Sequence, residues 1–513
     1  MGSLKRGTGY IWLMAFLSTL AAWVGILAIH WFVPPVLNLP HWRFLNIETA
    51  DLIRFEWSSL TWPYCMALIS FALATLLTAS VRFHKNSTPI SWAVVMIFTA
   101  VGILGIVASS PMAVIFAWMI LDLSELGLII AFRKTELFHR GVLTGLTIRI
   151  GGIFLLITAV AHSYSSQVPL TFENIGQTEA LLVILAVVLR MGVLPFNLPV
   201  LPQMASHRGF TSILRFSAQL TALIPLARFP VFEVAPIWLP VMTTLTILGC
   251  FYGAVLWVFS SNELNGRPYW ILSTGGLAIL TVLHSTPSVS IVWGVLLVLG
   301  GGSIFLYSLR NKWLMLLPAF SLLGLSGLPF TPASGGWGAF PNTFGWNSLI
   351  SGVLFLLLIG GFKHMFQEGE EIDGVEKWGI ASYGAGLGLL VVAQGVIGFL
   401  GLPVQPELGH WVYSISMILV LGLVGFWMMR RVNSAIGVGG RDHWLFVLVR
   451  AVGTRLGDFL TMGWLFRFFN FVFYFLQSVA VALERLLEGS GGVLWAMLLL
   501  TLLITILTQV YKG

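Results

Sequence analysis

Charge is what this sequence has least of. Only 9% of its 513 residues are Asp, Glu, Lys or Arg, and mean hydropathy is +0.92, whereas a soluble domain carries about 25% charged residues. No polar stretch is long enough to close a core of its own, which excludes a soluble domain. Cysteine is almost missing. Cys65 and Cys250 both lie in apolar runs, which argues against a disulfide framework or a zinc site. A Rossmann fingerprint, a P-loop, a metal-ligand cluster and a nucleophile constellation are also lacking, so no cofactor, metal or catalysis by this chain alone is expected. The net charge of +7 is scattered through short loops and forms no basic patch, so nucleic acid is not an expected partner.

Hydrophobic length is what the chain has instead. Apolar runs cut by Pro, Gly and charge clusters give about fourteen membrane-spanning helices and one more at the C-terminus. The expected spans are 9–33, 60–80, 90–109, 112–132, 143–163, 180–198, 210–229, 238–259, 269–284, 288–309, 313–329, 348–366, 379–401, 410–429 and 492–511. M-G-S-L-K-R precedes a long apolar run without a small-residue cleavage site and reads as the start of a retained first helix. Between the first two helices, His41, Arg43, Arg54 and several tryptophans mark an interfacial segment. From 441 to 488, Arg441, Arg450, Arg455, Asp458, Arg467, Glu484, Arg485 and Glu488 punctuate an apolar, aromatic run. That pattern suits an amphipathic helix along the membrane face, with a further spanning helix over 459–483 as the alternative.

Loop charge supports this count. Lys5 and Arg6, Arg82 and Lys85, Arg133, Lys134 and Arg140, Arg208, Arg267, Arg310 and Lys312, Lys363 and Lys377, and Arg430, Arg431 and Arg441 fall on alternate loops. The other loops are nearly free of Lys and Arg, apart from the first and Arg228. The positive-inside rule then places the N-terminus in the cytoplasm, in a multi-pass protein of a prokaryotic inner membrane.

The segment 180–202, A-L-L-V-I-L-A-V-V-L-R-M-G-V-L-P-F-N-L-P-V-L-P, organises the rest. Arg190 stands near the middle of an apolar helix, and Pro195, Pro199 and Pro202 break its second half. A charge at membrane depth is costly and usually faces a protein interior or water. Broken backbone there survives only where protein or a wet cavity satisfies its polar groups. The plainer alternative is a helix end with Arg190 snorkelling to the headgroups. A second break is expected at 328–336. Leu194-Pro195-Phe196 recurs there as Leu328-Pro329-Phe330, and Pro332 comes soon after, as Pro199 does. The two lie about five helices apart, an odd offset that would invert the second unit.

Two carboxylates, Asp122 and Glu125, sit three residues apart on one face of the fourth helix. Such a pair suits proton binding, because burial and mutual repulsion both favour the neutral acid. For Glu125 a pairing with Arg133 or Lys134 at the helix end is the alternative. Arg149 and Arg215 lie early in their helices; either could snorkel, and for Arg149 that is the better reading. Asp122 is the expected partner of Arg190. His284, ending helix nine, reads as a capping or interfacial residue. The region 269–362 has no charge in a helix interior and is rich in glycine, which permits close helix packing.

Around Arg190 the chain resembles the antiporter-like proton-translocating subunits of complex I and of Mrp cation antiporters. That family has a lysine, then Pro-aromatic-or-Leu-His, then a Pro-rich loop ending in Ser-Ala-Leu-Leu-His. Here Arg190, Pro195-Phe196-Asn197 and Thr211-Ser212-Ile213-Leu214-Arg215 stand at those places. The family's Trp-Glu is Trp118-Met119, with Asp122 a turn on, and its second-half lysine is Gly294. The resemblance implies an ion pathway through Asp122, Glu125, Arg190 and Arg215, with protons or cations, the bilayer and other membrane subunits as partners. Because arginine cannot lose its proton in a protein, at least one half-channel would be dead.

The expected architecture is an all-α polytopic membrane protein of about 14–15 transmembrane helices, with two inverted five-helix repeats and a C-terminal lateral helix. Its divisions are 1–109 (N-terminal helices), 110–230 and 231–366 (the repeats), 367–440 (C-terminal helices), 441–491 (the lateral helix) and 492–513 (the final helix). The expected role is a subunit of a larger ion-translocating complex. The alternative is a non-conducting scaffold or coupling subunit, such as the membrane partner in DAB-type inorganic-carbon uptake.

Overall fold

Proline opens many of the helices. Pro63, Pro89, Pro111, Pro240 and Pro332 all fall at the first or second helical position, where a missing N–H costs nothing and φ is already helical. The computed structural model describes residues 2–32, 36–38, 53–82, 89–131, 136–165, 170–172, 175–193, 208–284, 286–309, 313–328, 331–340, 343–367 and 376–400, and isolated positions beyond 411. The helices are α1 (Gly2–Ile29), α2 (Trp62–Ala79), α3 (Pro89–Val107), α4 (Pro111–Ala131), α5 (Glu136–Ser165), α6 (Gln177–Met191), α7 (Arg208–Arg228), α8 (Leu239–Phe259), α9 (Glu263–Leu283), α10 (Ser290–Leu306), α11 (Leu316–Leu323), α12 (Pro332–Trp337), α13 (Phe344–Met365) and α14 (Lys377–Leu400). Nine of the described helices are long and apolar enough to cross a membrane. The protein is an all-α, multi-pass membrane protein.

The chain divides into two units, Met1–Arg441 and Asp442–Gly513. Every helix named above belongs to the first. In the second, Ser478, Met497, Leu500 and Thr501 are helical, and the Thr501 hydroxyl donates to the Met497 carbonyl at 2.8 Å. All of the expected lateral helix but Ser478, most of the spans 410–429 and 492–511, and Pro195, Pro199, Pro202 and Pro329 lie outside the described residues.

At the centre of the first unit stand α2, α7 and α10. The span Pro287–Leu306, which contains α10, is wholly buried, and α2 and α7 are nearly so. A helix apolar on every side belongs in such a place. Phe71 of α2, Phe216 of α7 and Phe305 of α10 form one aromatic chain, with ring centres 4.9 and 6.1 Å apart. α1 lies at the rim and is held to α2 by three indole N–H groups. Trp12 donates to the Leu76 carbonyl at 2.9 Å, Trp23 to Ser70 Oγ at 2.8 Å, and Trp62 to the Ile26 carbonyl at 3.0 Å. An indole buries a large apolar face yet spends its one donor on a backbone or hydroxyl oxygen.

Several expectations need correction. The segment after α1 contains a short antiparallel pair, β1 (Val36–Asn38) with β2 (Arg54–Glu56), in register Leu37 to Phe55. Helix α6 ends at Met191, ahead of the prolines, so Arg190 sits in its last turn and not at its middle. Gly192 stops it in the left-handed conformation, φ 72°, which costs glycine nothing and other residues about 1–2 kcal/mol. The second break also begins earlier than its prolines: α11 ends at Leu323 and α12 begins at Pro332. Gly327, also at φ 72°, lies between them. Finally, α9 starts at Glu263, six residues before the expected position, which brings Arg267 from a loop into a helix.

Candidate functional site

The fourth helix presents Trp118, Asp122 and Glu125 at spacings of four and three, one face of α4. Met119, at the position of the expected family carboxylate, is 42% exposed and points away from this face. Opposite stand α5 and α6, which pack on each other and bring Arg149 and Arg190 to the same level. Arg190 is fully buried. Its Nη1 donates to Asp122 Oδ2 at 2.9 Å and its Nη2 to Asp122 Oδ1 at 3.1 Å, a two-pronged ion pair. Nη2 also lies 3.4 Å from the Trp118 carbonyl oxygen, and the guanidinium carbon stands 4.6 Å from the centre of the Trp118 ring. The ring is fixed in turn by its N–H, which donates to the Thr221 carbonyl of α7 at 2.9 Å.

Arg149 does not snorkel. It is 2% exposed, pairs through Nη2 with Glu125 Oε2, and places Nη1 3.7 Å from Asp122 Oδ1. Glu125 therefore belongs to the interior and not to the helix end. The reason is complementarity: two carboxylates on α4 and two arginines on facing helices cancel, and a desolvated charge is tolerable only when paired. Arg215 of α7 is also buried, close enough to Glu125 and Arg149 to act on both electrostatically. The structure thus gathers Asp122, Glu125, Arg190 and Arg215. It does not join them to Pro332, which opens α12 in the other half. Removing Glu125 leaves Arg149, among the described residues, the longer ion pair to Asp122 and a 3.4 Å hydrogen bond to the Gly145 carbonyl. Glu125→Leu should cost about 3 kcal/mol, and Met119→Ala no more than about 0.5 kcal/mol. Thermal midpoints in one detergent compare them, and equal shifts would contradict the pairing.

A second charged group was missed at the sequence level. Arg208 and Arg267, which read there as loop charges, are both buried, Arg208 in the first turn of α7 and Arg267 in the second turn of α9. Arg208 pairs with Glu263, and Arg267 Nη1 donates to Thr211 Oγ1 at 2.7 Å. The available signal was spacing: 208, 211 and 215 share one face of α7, and 263 and 267 one face of α9. Beyond them, His364 Nε2 faces the Trp257 carbonyl oxygen and Ser260 Oγ, both at 3.0 Å. Lys363 Nζ donates to the carbonyls of Val258 and Ser260 at 2.8 and 2.9 Å. At the far end of α5, His162 Nδ1 meets Glu179 Oε1 at 2.8 Å. His284 comes directly after α9, with its ring edge-on to Trp346 and 4.2 Å between centres. No group of three or more metal-ligating side chains occurs among the described residues.

In the other half, aromatic rings pack against glycines. At Gly294, on α10, an added Cβ would come within 2.3 Å of the Tyr64 hydroxyl. The Tyr64 ring fills that space, and its hydroxyl donates to the Ser290 carbonyl at 3.3 Å. Gly266 and Gly360 press in the same way on Trp257, Gly301 on Trp270, and Gly302 on Phe71. Small residues here make room for aromatic rings.

No protein-family model matches the chain. Solved structures do. A chain of the Mrp complex from Dietzia sp. DQ12-45-1b aligns with a TM-score of 0.63 at 14% identity, over 93% of this chain and 60% of that one. A chain of the membrane-bound sulfane sulfur reductase, an archaeal respiratory membrane complex, aligns with a TM-score of 0.64 at 13% identity, over 96% and 95%. The protein has the antiporter-like fold. A chain of respiratory complex I from Thermus thermophilus agrees, with a TM-score of 0.57 at 16% identity over 76% of this chain and 93% of that one. This chain spans 60% of the length of the Mrp chain but nearly all of the other two. Within the antiporter-like fold, the Asp122–Arg190 pair bridges α4 and the last turn of α6.

Proposed function

We propose that this protein is an antiporter-like membrane subunit of a multi-subunit, energy-converting complex that translocates protons or cations, and that its buried charges act there as fixed electrostatic elements. The observation that carries this is the nature of the cations. Every buried cationic side chain among the described residues is an arginine, apart from His364. Arginine keeps its proton in proteins, so the Asp122–Arg190 pair can bias neighbouring sites but cannot hand a proton on. Two helix breaks, each with a left-handed glycine shortly before Leu-Pro-Phe, support the inverted-repeat plan. The membrane is a prokaryotic inner membrane with the N-terminus on the cytoplasmic side, on the strength of loop charge.

Purification in mild detergent should bring partner subunits along, and a lone, active monomer would count against this. In proteoliposomes of the assembly, Arg190→Lys will keep proton flux, and Arg190→Ala will lose it only in step with lost assembly. If both variants assembled normally yet abolished flux, Arg190 would belong to the conduction path itself. A second reading, a non-conducting scaffold or coupling subunit of the DAB-type inorganic-carbon kind, is favoured by the Tyr64 ring packed against Gly294. Co-purification of a zinc protein with no flux in the wild-type assembly would select it.

A further inference from the structure

The connections on one face of the bundle carry almost no Lys or Arg, and two of the exceptions meet there. Arg54 opens β2, between α1 and α2, and Arg228 is the last residue of α7. Both are tied to the turn from α3 to α4. The Arg54 carbonyl accepts from the Ser109 N–H at 2.8 Å and from the Ser109 hydroxyl at 2.9 Å. Arg228 Nη2 donates to the carbonyl of Ile106, near the end of α3, at 3.3 Å.

Two cations share one carboxylate. Glu56 pairs with Arg54 Nη2 at 3.0 Å. Among the described residues it is also the carboxylate close enough to Arg228 to attract it, while Arg54 repels it. Neither guanidinium is saturated, since the Nε of each finds no hydrogen-bond partner among the described residues. The cluster is open to its surroundings. The Arg54 and Glu56 side chains are 38% and 32% exposed, and Arg228 is partly exposed. The surface on this face is apolar. Val36 and Leu37 of β1 are exposed, as are Trp31 and Phe32 after α1 and Val231 after α7. Tryptophan and apolar side chains beside helix ends are the composition of headgroup depth.

We propose that Arg54 and Arg228 together bind the phosphate of an anionic phospholipid headgroup, with its acyl chains along the apolar surface of this face. A phosphodiester carries a single negative charge, which balances the excess at the cluster. The planar fork of arginine matches two phosphate oxygens, and basic groups at the ends of membrane helices hold lipid headgroups by this chemistry. Glu56 competes with the lipid for Arg54 and so sets the affinity. If Glu48 or Asp51, which precede Arg54 in the chain, neutralised the pair instead, no preference for an anionic lipid would remain. The lipid binds whether or not the complex moves ions, so loss of ion flux and loss of this site are separate results.

The test is a titration of the purified full chain, with the subunits that accompany it, in one mild detergent. Phosphatidylglycerol, phosphatidylcholine with the same acyl chains, and sodium phosphate are added separately. Phosphatidylglycerol should raise the thermal midpoint saturably, phosphatidylcholine less, and sodium phosphate at the same concentration not at all. Arg54→Gln and Arg228→Gln should each raise the half-saturating concentration of phosphatidylglycerol about tenfold, through loss of a charge-assisted hydrogen bond. Glu56→Gln should lower it, because the competing carboxylate is gone. A merely structural Arg54–Glu56 pair would instead make Arg54→Gln and Glu56→Gln act alike. If Arg228→Gln does not fold, the other two variants decide. Equal responses to the two lipids in wild type, an equal response to sodium phosphate, undiminished binding in Arg54→Gln, or weakened binding in Glu56→Gln would overturn the proposal.

Discussion

Arg190→Ala will cost about 3–5 kcal/mol of stability and will lower the yield of assembled protein more than any other single truncation at the site. The loss comes mainly from the carboxylate left behind. Asp122, 7% exposed as a side chain, would keep only the 3.7 Å contact with Arg149, which is already engaged by Glu125. Two further variants separate pair from charge. Arg190→Met with Asp122→Leu removes both partners and should recover most of the stability, since an apolar pair of similar volume is often as good as a buried ion pair. Arg190→Lys keeps one charge but not the two-pronged geometry or the stacking over Trp118, and should fall between, at about 1–2 kcal/mol. Thermal midpoints of the purified variants measure all three. A double variant as damaged as Arg190→Ala would mean that the arginine acts through shape and not through its pair.

The second large effect is expected at Gly294. An alanine there would place its Cβ 2.3 Å from the Tyr64 hydroxyl and 2.5 Å from a ring carbon, with α10 wholly and α2 almost wholly buried and unable to part easily. Overpacking of this kind costs about 1–3 kcal/mol, and Gly294→Leu should prevent folding altogether. Tyr64→Ala alone should cost about 3 kcal/mol by leaving a cavity. Combined with Gly294→Ala it should cost less than the sum, with a coupling of at least about 1 kcal/mol. Tyr64→Phe should be nearly neutral, because its hydroxyl makes one 3.3 Å bond. Additive Gly294→Ala and Tyr64→Ala effects would show that the ring is not held by this glycine. The lysine that the resemblance places at this position has no room while Tyr64 is present.

Most of the architecture could be read from one dimension. A helix in a membrane satisfies its own backbone, so length and apolarity locate it without knowledge of its neighbours. Each expected span from 9–33 to 379–401 overlaps a described helix, and 313–329 overlaps the short α11. The Arg190–Asp122 pair was legible for a related reason. A lone buried arginine must find a carboxylate, and a chain with so few charges offers few candidates. Helix ends were less legible, because a glycine that adopts φ 72° looks in sequence like any other glycine. Hence α6 stops at Gly192 and not at Pro195.

Tertiary structure alone decided the company each charge keeps. Arg149, Arg208 and Arg267 carry in sequence the marks of interfacial or loop residues, since each lies near a helix start where a long side chain can reach water. They are buried because Glu125, Glu263 and Thr211, between 24 and 56 residues away in sequence, face them across α4–α5 and α7–α9. Nor does any local pattern say that Tyr64 fills the space beside Gly294, 230 positions along the chain. Periodicity and hydropathy are properties of one helix with its solvent. Pairing and steric exclusion are properties of two helices together, fixed only when the bundle closes.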